Sequence, residues 1–473
     1  MKIIKNGTIV SPSETYVADI LIDDGKIINI GANISLEDVE IIDASGKYVL
    51  PGAVDVHTHF DLQSGASRAV DDFYSGSVAA VCGGTTTIVD HLAFGPNGCK
   101  LEHQVDLYHR LAEGRAVIDY SFHGVVQYVN DHILDEMEEL VEQGITSFKI
   151  YLTYDFKLSD EEIYRILKKA KELNVVITVH AENHEVINHL RHTFIAEGKT
   201  APIYHAKSRP DDCEAEAVGR MIHLANMAGG TPIYIVHLST KKGLRVVEDA
   251  RKNGYTNIFL ETCPQYLTLT EEKYLADHDE GLKYIMSPPL RKQKDCEALW
   301  QGLADNQIQV IGTDHCPFDF HGDKQLGRDN FTLCPNGAPG VEERVRVVFS
   351  EGVMKNRISI NQFVAAICTN PAKTFGLYPQ KGILQPGSDA DIVIINPAET
   401  EIITKARMQS AVDYTVYEGL EVQGKIDLVF QRGEIAVKNN QFLGKRGQGK
   451  FIKRKTLDRE FLDSKKGNHK KTN

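Results

Sequence analysis

No Cys-x-x-Cys spacing occurs among the eight cysteines of this 473-residue chain, at positions 82, 99, 213, 263, 296, 316, 334 and 368. That scatter argues against a structural zinc module and against a disulfide framework, so free thiols in a reducing cytoplasm are expected. An apolar leader is missing too. The opening MKIIKNGTIV runs through Lys2, Lys5 and Asn6 without the stretch that a signal peptide needs, and no later segment approaches the length of a membrane span. Positive charge is not in excess: the formal net charge is −12. Non-specific binding to nucleic acid or to an anionic membrane is therefore disfavoured, and small molecules are the expected partners. Internal repeats and low-complexity segments are absent as well.

What is present is an ordinary globular composition on a chain long enough for more than one domain, or for one large barrel with an addition. From Met1 to about Leu50 the pattern is short apolar strands around glycine turns. Ile22-Asp23-Asp24-Gly25-Lys26-Ile27 is a hairpin signal, and Ser45-Gly46 marks another turn. The same grammar returns at Asp391–Ile395 and at Leu428–Phe430 with the turn Arg432-Gly433. Both chain ends, 1–50 and 379–445, are thus expected to build one small β-sandwich-like domain. Between them, over 51–378, strands alternate with helices. Apolar runs at 54–56, 86–89, 118–126, 147–152, 175–179, 233–236, 258–260 and 308–311 make eight strands. Ile133, Met137, Leu140 and Val141 recur at helical spacing before Gly144, and Ser159-x-x-Glu162 is a capping box that opens a second helix. Eight alternations predict an α/β fold of the (β/α)₈ TIM-barrel type, with a doubly wound sheet as the alternative. Residues 446–473 form a basic C-terminal tail with Lys453-Arg454-Lys455, Lys465-Lys466 and Lys470-Lys471. A solvated or subunit-contacting tail is favoured there over a nucleic-acid role.

In a barrel, chemistry sits where the strands end. In VDVHTH, residues 54–59, the strand ends in two histidines one residue apart. His57 and His59 would share a face. Lys149 lies in the fourth run, His180 follows the fifth, His237 the sixth, and Asp314 the eighth. Any one such histidine is more often a hydrogen-bonded structural residue. Four imidazoles and a carboxylate at one end of different strands are hard to explain as packing, and they are good ligands for zinc and related ions. Lys149 as an ammonium has no lone pair. It serves only after CO₂ converts it to a carbamate, and an ion pair with a neighbouring carboxylate is the equal alternative on spacing alone.

His57-Thr58-His59, Ser147-Phe148-Lys149, Val179–Asn183, Val236–Ser239 and Gly312–His315 together resemble the cyclic amidohydrolases, specifically the hydantoinase and dihydropyrimidinase family. The likeness extends through Ser287–Arg291 and Asn336–Gly340, nearly the whole chain. It implies two divalent metal ions of zinc type: His57 and His59 on one with Asp314, His180 and His237 on the other, and N6-carboxylated Lys149 as the bridge. Tyr154 falls where the family places a substrate-binding tyrosine, although without the resemblance a packed rim tyrosine would be the reading. Ser287 and Asn336 match positions whose backbone groups hold the ring amide. A homotetramer is also implied.

These ligands would make hydroxide available near neutral pH to attack a ring carbonyl of a cyclic ureide. Asp314 would act as base and then acid, and the Tyr154 hydroxyl would stabilise the oxyanion. The loop Phe60-Asp61-Leu62-Gln63-Ser64-Gly65 departs from the Met-Pro-Phe-Gly type usual in the family. With Thr86–His91 it places the chain near the branch that opens 5-aryl hydantoins to N-carbamoyl-D-amino acids. Dihydropyrimidinase activity on dihydrouracil-type rings is the alternative. Dihydroorotase would need an arginine soon after His59, where Phe60-Asp61 stand, and the non-catalytic collapsin-response relatives lack the ligands retained here. His91, His123 and His315 are expected to support the ligands rather than join them.

Overall fold

The computed structural model describes residues 1–458 except 278. Eight parallel strands, Ala53–Thr58, Thr85–His91, Asp119–Val125, Ser147–Tyr151, Val176–His180, Ile233–Ile235, Ile258–Thr262 and Val310–Ile311, hydrogen-bond each to the next in chain order. Their apolar, β-branched sequences suit strands buried on both faces. The two ends of this sheet meet beyond the last strand, where Asp314 N–H donates to His57 O and His59 N–H to His315 O, both at 2.9 Å. The result is a near-closed barrel, not an open doubly wound sheet.

Helices pack outside it. Asp131–Glu142 starts at Asn130, whose side chain accepts from Ile133 N–H, and buries Ile133, Met137 and Leu140. Asp160–Leu173 carries the expected capping box of Ser159 and Glu162, and buries Ile163, Ile166, Leu167 and Ala170. Such a cap is worth about 1 kcal/mol. Inside the barrel, Val54, Val56, Val89, Val176, Tyr234, Phe259 and Val310 form an apolar floor with Phe375, Leu377, Ile452 and Leu457.

Two members of that floor correct the reading of the basic tail. Residues 450–457 are a strap across the N-terminal ends of the third to fifth strands, with Ile452, Arg454 and Leu457 buried and Lys450, Lys453 and Lys455 exposed. Tyr120 N–H donates to Lys450 O at 3.0 Å, Ile452 N–H to Tyr120 O at 2.8 Å, and Arg454 N–H to Gly144 O at 3.0 Å. Arg454 is 3% exposed, and its guanidinium donates to Ser121 Oγ and to the Phe122 carbonyl. Charge counting misled here because an arginine can satisfy backbone carbonyls as readily as water. Lys465-Lys466 and Lys470-Lys471 lie outside the described residues.

A second sheet combines Lys2–Val10, Thr15–Asp23, Lys26–Gly31, Glu40–Asp43 and Tyr48–Pro51 with Ile392–Ile402, Glu421–Gln431, Glu434–Lys438 and Gln441–Phe442. The two contributions join where Tyr48–Pro51 runs antiparallel to residues 392–395. Both predicted hairpins turn on two left-handed residues, Asp24 (φ 42°) with Gly25 (φ 74°) and Arg432 (φ 44°) with Gly433 (φ 75°). That is the turn whose twist matches paired strands. Sheet and barrel are pinned by Lys381, 2% exposed. Its Nζ lies 2.6 Å from Asp119, 2.6 Å from Asp391 and 3.0 Å from Asp389. Arg432 also binds Asp119, and Lys26 reaches Asp389 at 2.6 Å, so three cations face three carboxylates.

Candidate metal centre

Strand alternation carries the apolar floor into a polar layer above it. Two residues beyond Val89 and Phe259 on the same inward faces stand His91 and Glu261, and four beyond Val176 stands His180. His57 and His59 present their rings to the same space, with centroids 5.3 Å apart. His57 Nδ1 lies 2.6 Å from Glu261 Oε1. Because a carboxylate only accepts, Nδ1 carries the proton and Nε2 is the free donor atom. That Nε2 is 3.1 Å from Asp314 Oδ1, and His59 Nε2 is 3.0 Å from the same oxygen. On the opposite side His180 Nε2 is held by Glu182 Oε2 at 2.8 Å, leaving Nδ1 at 2.8 Å from His237 Nε2. Glu182 is itself fixed by the buried guanidinium of Arg209.

Burial and charge divide these groups. Burial pulls His57 down, but the charges of Glu261 and Asp314 override it and push the imidazole up to about 9. Burial dominates at His59, which falls to about 4, and holds His237 and His91 well below the usual imidazole range. Asp314 would be raised by burial, yet His57 and His59 hold it well below the usual carboxylate range. At Lys149 burial prevails over Asp314 and Glu261 and lowers the ammonium to about 8. Lys149 is 1% exposed and forms no salt bridge among the described residues; its Nζ lies over the Tyr151 ring, 5.2 Å from the centroid.

The donor set fits a pair of zinc-type ions. His59 Nδ1 and His237 Nδ1 are buried and without a hydrogen-bond partner among the described residues, and His57 Nε2 has only the Asp314 carboxylate beside it. Lone pairs in that state cost free energy unless a cation takes them. Two groups of donor atoms lie within 4.8 Å of one another: His57, His59 and His91, and His57, His237 and Asp314. His237 (φ 40°), Asp314 (φ 56°) and Tyr154 (φ 71°) all adopt left-handed backbone, a strain that clusters at functional sites.

Tyr154 stands beside His180, with ring centroids 5.2 Å apart, and Ser287 sits next to it. Burial pushes the tyrosine hydroxyl up to about 12, so it stays a donor at neutral pH. Asn336 belongs to a neighbouring segment, where Gly337 N–H donates to Ile285 O at 3.1 Å. Buried Lys324 ties the two segments by donating to Ile285 O at 2.7 Å and Pro335 O at 2.8 Å. Of the histidines expected in support, His123 binds Ser147 Oγ (2.6 Å) and Val56 O (3.0 Å), and His315 binds Asp71 (3.0 Å). His91 makes no such bond among the described residues.

Glu261, Glu182, Arg209 and Lys324 were not singled out from the sequence. Glu261 ends an apolar run, Ile258-Phe259-Leu260, and only the inward phase of Phe259 could have pointed to it. Its replacement tests its role. Glu261→Gln should weaken zinc binding roughly 10- to 100-fold, the usual cost of losing a partner that orients a ligand. Chelator competition at matched pH is the measurement, and unchanged affinity would remove Glu261 from the centre.

Three comparisons bear on this geometry. A model of the amidohydrolase family matches residues 48–436. The D-phenylhydantoinase of Escherichia coli O1:K1 is 49% identical over 454 residues, which is 96% of this chain and 98% of that protein. Among solved structures, dihydropyrimidinase from Brevibacillus agri superposes with a TM-score of 0.95 at 44% identity, covering 97% of this chain and 99% of that one. A D-hydantoinase (dihydropyrimidinase) from Thermus sp. gives 0.93 at 39% identity, covering 97% of this chain and 100% of that one.

Proposed function

This chain belongs to the amidohydrolase family, and from that premise we propose that it hydrolyses the ring amide of D-5-substituted, aromatic hydantoins to N-carbamoyl-D-amino acids. It is a cyclic amidohydrolase of hydantoinase type. The observation that carries the reading is the convergence of four imidazoles, Asp314 and a buried lysine at one barrel mouth, with imidazole nitrogens left unpaired and facing inward.

His57, His59, His180, His237 and Asp314 would hold two zinc-type ions, with Lys149 as the bridge in its carboxylated form. Support for the bridge comes from the lowered pKa and from the lack of a carboxylate partner, since a neutral amine is the nucleophile that CO₂ requires. Bound metals supply hydroxide near neutral pH. The chain's own groups then position and move protons. Asp314, held as a carboxylate, accepts the proton of the attacking water and returns it to the departing ring nitrogen. Tyr154 donates its hydroxyl to the oxygen that becomes negative as the carbonyl is attacked. Backbone groups at Ser287 and Asn336, their segments tied by Lys324, hold the ring amide in register.

The aromatic preference rests on the rim. Phe94, Tyr151 and Phe156 form a partly buried cluster, with Phe94 and Phe156 stacked at 4.0 Å and Tyr151 6.0 Å from Tyr154. After the first strand, Gln63–Ser64 and Ser67–Arg68 form a small hairpin beyond Leu62, which packs on Ala69, Cys316 and Phe318. Phe60 is not part of this wall; it is buried against Phe73 and His315. With zinc-loaded protein in bicarbonate buffer, kcat/KM for D-5-phenylhydantoin should exceed that for dihydrouracil by roughly 10- to 200-fold, the range a hydrophobic pocket achieves. Preference for dihydrouracil would return the chain to pyrimidine-ring opening.

We take 51–378 as the catalytic unit and 1–50 with 379–445 as the appended one. No helix among the described residues is long and apolar enough to cross a membrane. A cytoplasmic homotetramer completes the reading.

A further inference from the structure

We infer that His57, His59 and His91, beside Asp314, form a three-imidazole site that holds one divalent transition-metal ion without the Lys149 carbamate and without a second ion. This rests on the metal-dependent reading above and extends it to a residue outside the expected ligand set.

His91 is fully buried, and neither of its ring nitrogens has a hydrogen-bond partner among the described residues. A structural histidine in a protein interior ordinarily has both met. Its neighbour His123 shows what that looks like, with one nitrogen on Ser147 Oγ and the other on Val56 O. His91 stacks on His123 at 4.2 Å and 16°, which fixes the plane of its ring. The ligand rings crowd it: centroids lie 4.5 Å from His57 at 55° and 5.3 Å from His59 at 26°. One donor atom from each of the three falls within 4.8 Å of the others. Zinc–nitrogen bonds of about 2.1 Å place tetrahedral donors about 3.4 Å apart, so the three rings close by up to about 1.4 Å to complete the site.

All three residues come from the first two barrel strands, which are paired to each other through Thr58 and Asp90. The site therefore needs no contribution from the fourth strand, where Lys149 stands, or from the fifth and sixth, where His180 and His237 arise. Three imidazole nitrogens, with the second proton of His57 displaced as an ion binds, suit zinc, cobalt or nickel and disfavour magnesium and manganese, which take oxygen ligands. This position can therefore fill before CO₂ is fixed on Lys149.

Full-length Lys149→Met, stripped with chelator and given zinc, is the test protein. It should retain one tightly bound equivalent, and X-ray absorption should count three imidazoles around it. Adding His91→Phe, which keeps a ring against His123, should weaken that equivalent at least roughly tenfold in chelator competition, by analogy with the loss of a supporting partner. His91→Gln should give the same loss and serves if the phenylalanine variant does not fold. Two imidazoles around the single zinc, or unaltered affinity in both His91 variants, would overturn the inference while leaving the two-metal reading intact. Unmutated protein that binds no zinc at all would overturn both.

Discussion

Asp314→Asn should lower kcat by roughly 10²- to 10⁴-fold, the usual contribution of a positioned proton-transfer group. The substitution isolates chemistry from folding unusually well. Asp314 sits at φ 56°, where asparagine is among the few residues tolerated, so the backbone has no reason to move. The Asp314 N–H bond to His57 O that helps close the barrel is also retained. What is lost is a carboxylate held ionised by His57 and His59 and able to accept a proton. Because the same oxygen faces both imidazoles, zinc content must be measured alongside turnover. A decrease confined to kcat at full zinc occupancy assigns the proton transfer, since uniform binding loss would appear in KM. A zinc-replete variant with wild-type kcat would eliminate Asp314 as the base.

Lys381→Met should destabilise the fold by about 3–5 kcal/mol, because removing one partner of a buried ionic group strands the others. Asp119 belongs to the barrel and Asp389 and Asp391 lead into the second sheet, so the loss falls on the junction. Its pH dependence has a definite sign. Burial would lower Lys381, but Asp391, Asp119 and Asp389 raise it above the ordinary lysine value of 10.5. A cation whose folded pKa is raised contributes fully below its unfolded value and loses that contribution as pH climbs through the folded one. The difference in unfolding free energy should therefore be flat through neutral pH and shrink above about 10.4, the unfolded lysine value. In acid the carboxylates oppose each other. Asp389 would be raised by burial but Lys381 and Lys26 hold it low, so it gives up stability as pH falls below its unfolded value, while burial raises Asp391 and works the other way. Denaturant titrations of both proteins from neutral pH into alkali measure it. A constant difference across the alkaline limb would show that Lys381 acts through packing alone.

The sequence revealed the barrel because its signal is redundant. Eight apolar runs each needed only to be strands, and errors of one or two residues at their ends, as at 308–311 against Val310–Ile311, changed nothing. The candidate ligands were visible for a related reason: histidines at strand ends are conspicuous against apolar neighbours. Their supports were not. Glu261 reads as the polar stop of a strand, and Arg209 as a loop residue after Ser208, because the contacts that define them cross from one strand or loop to another. His91 reads from the sequence as a support for the ligands, since sequence says which residue lies near a strand end and not whether its nitrogens already have partners. Arg454 failed by the opposite route, with its burial hidden under a run of like charges.

The second sheet also sets an order of events during synthesis. Its first five strands end at Pro51, yet the partner of that edge begins at Ile392. At about 5–20 residues per second a ribosome needs roughly 20–70 s to supply it. Throughout that interval Tyr48–Pro51 is an unpaired edge, the kind of surface on which nascent chains pair wrongly with one another. The strap at 450–457 arrives later still, so the barrel floor is sealed after every ligand strand has been made. Slower translation would lengthen the time for which that edge waits for its partner.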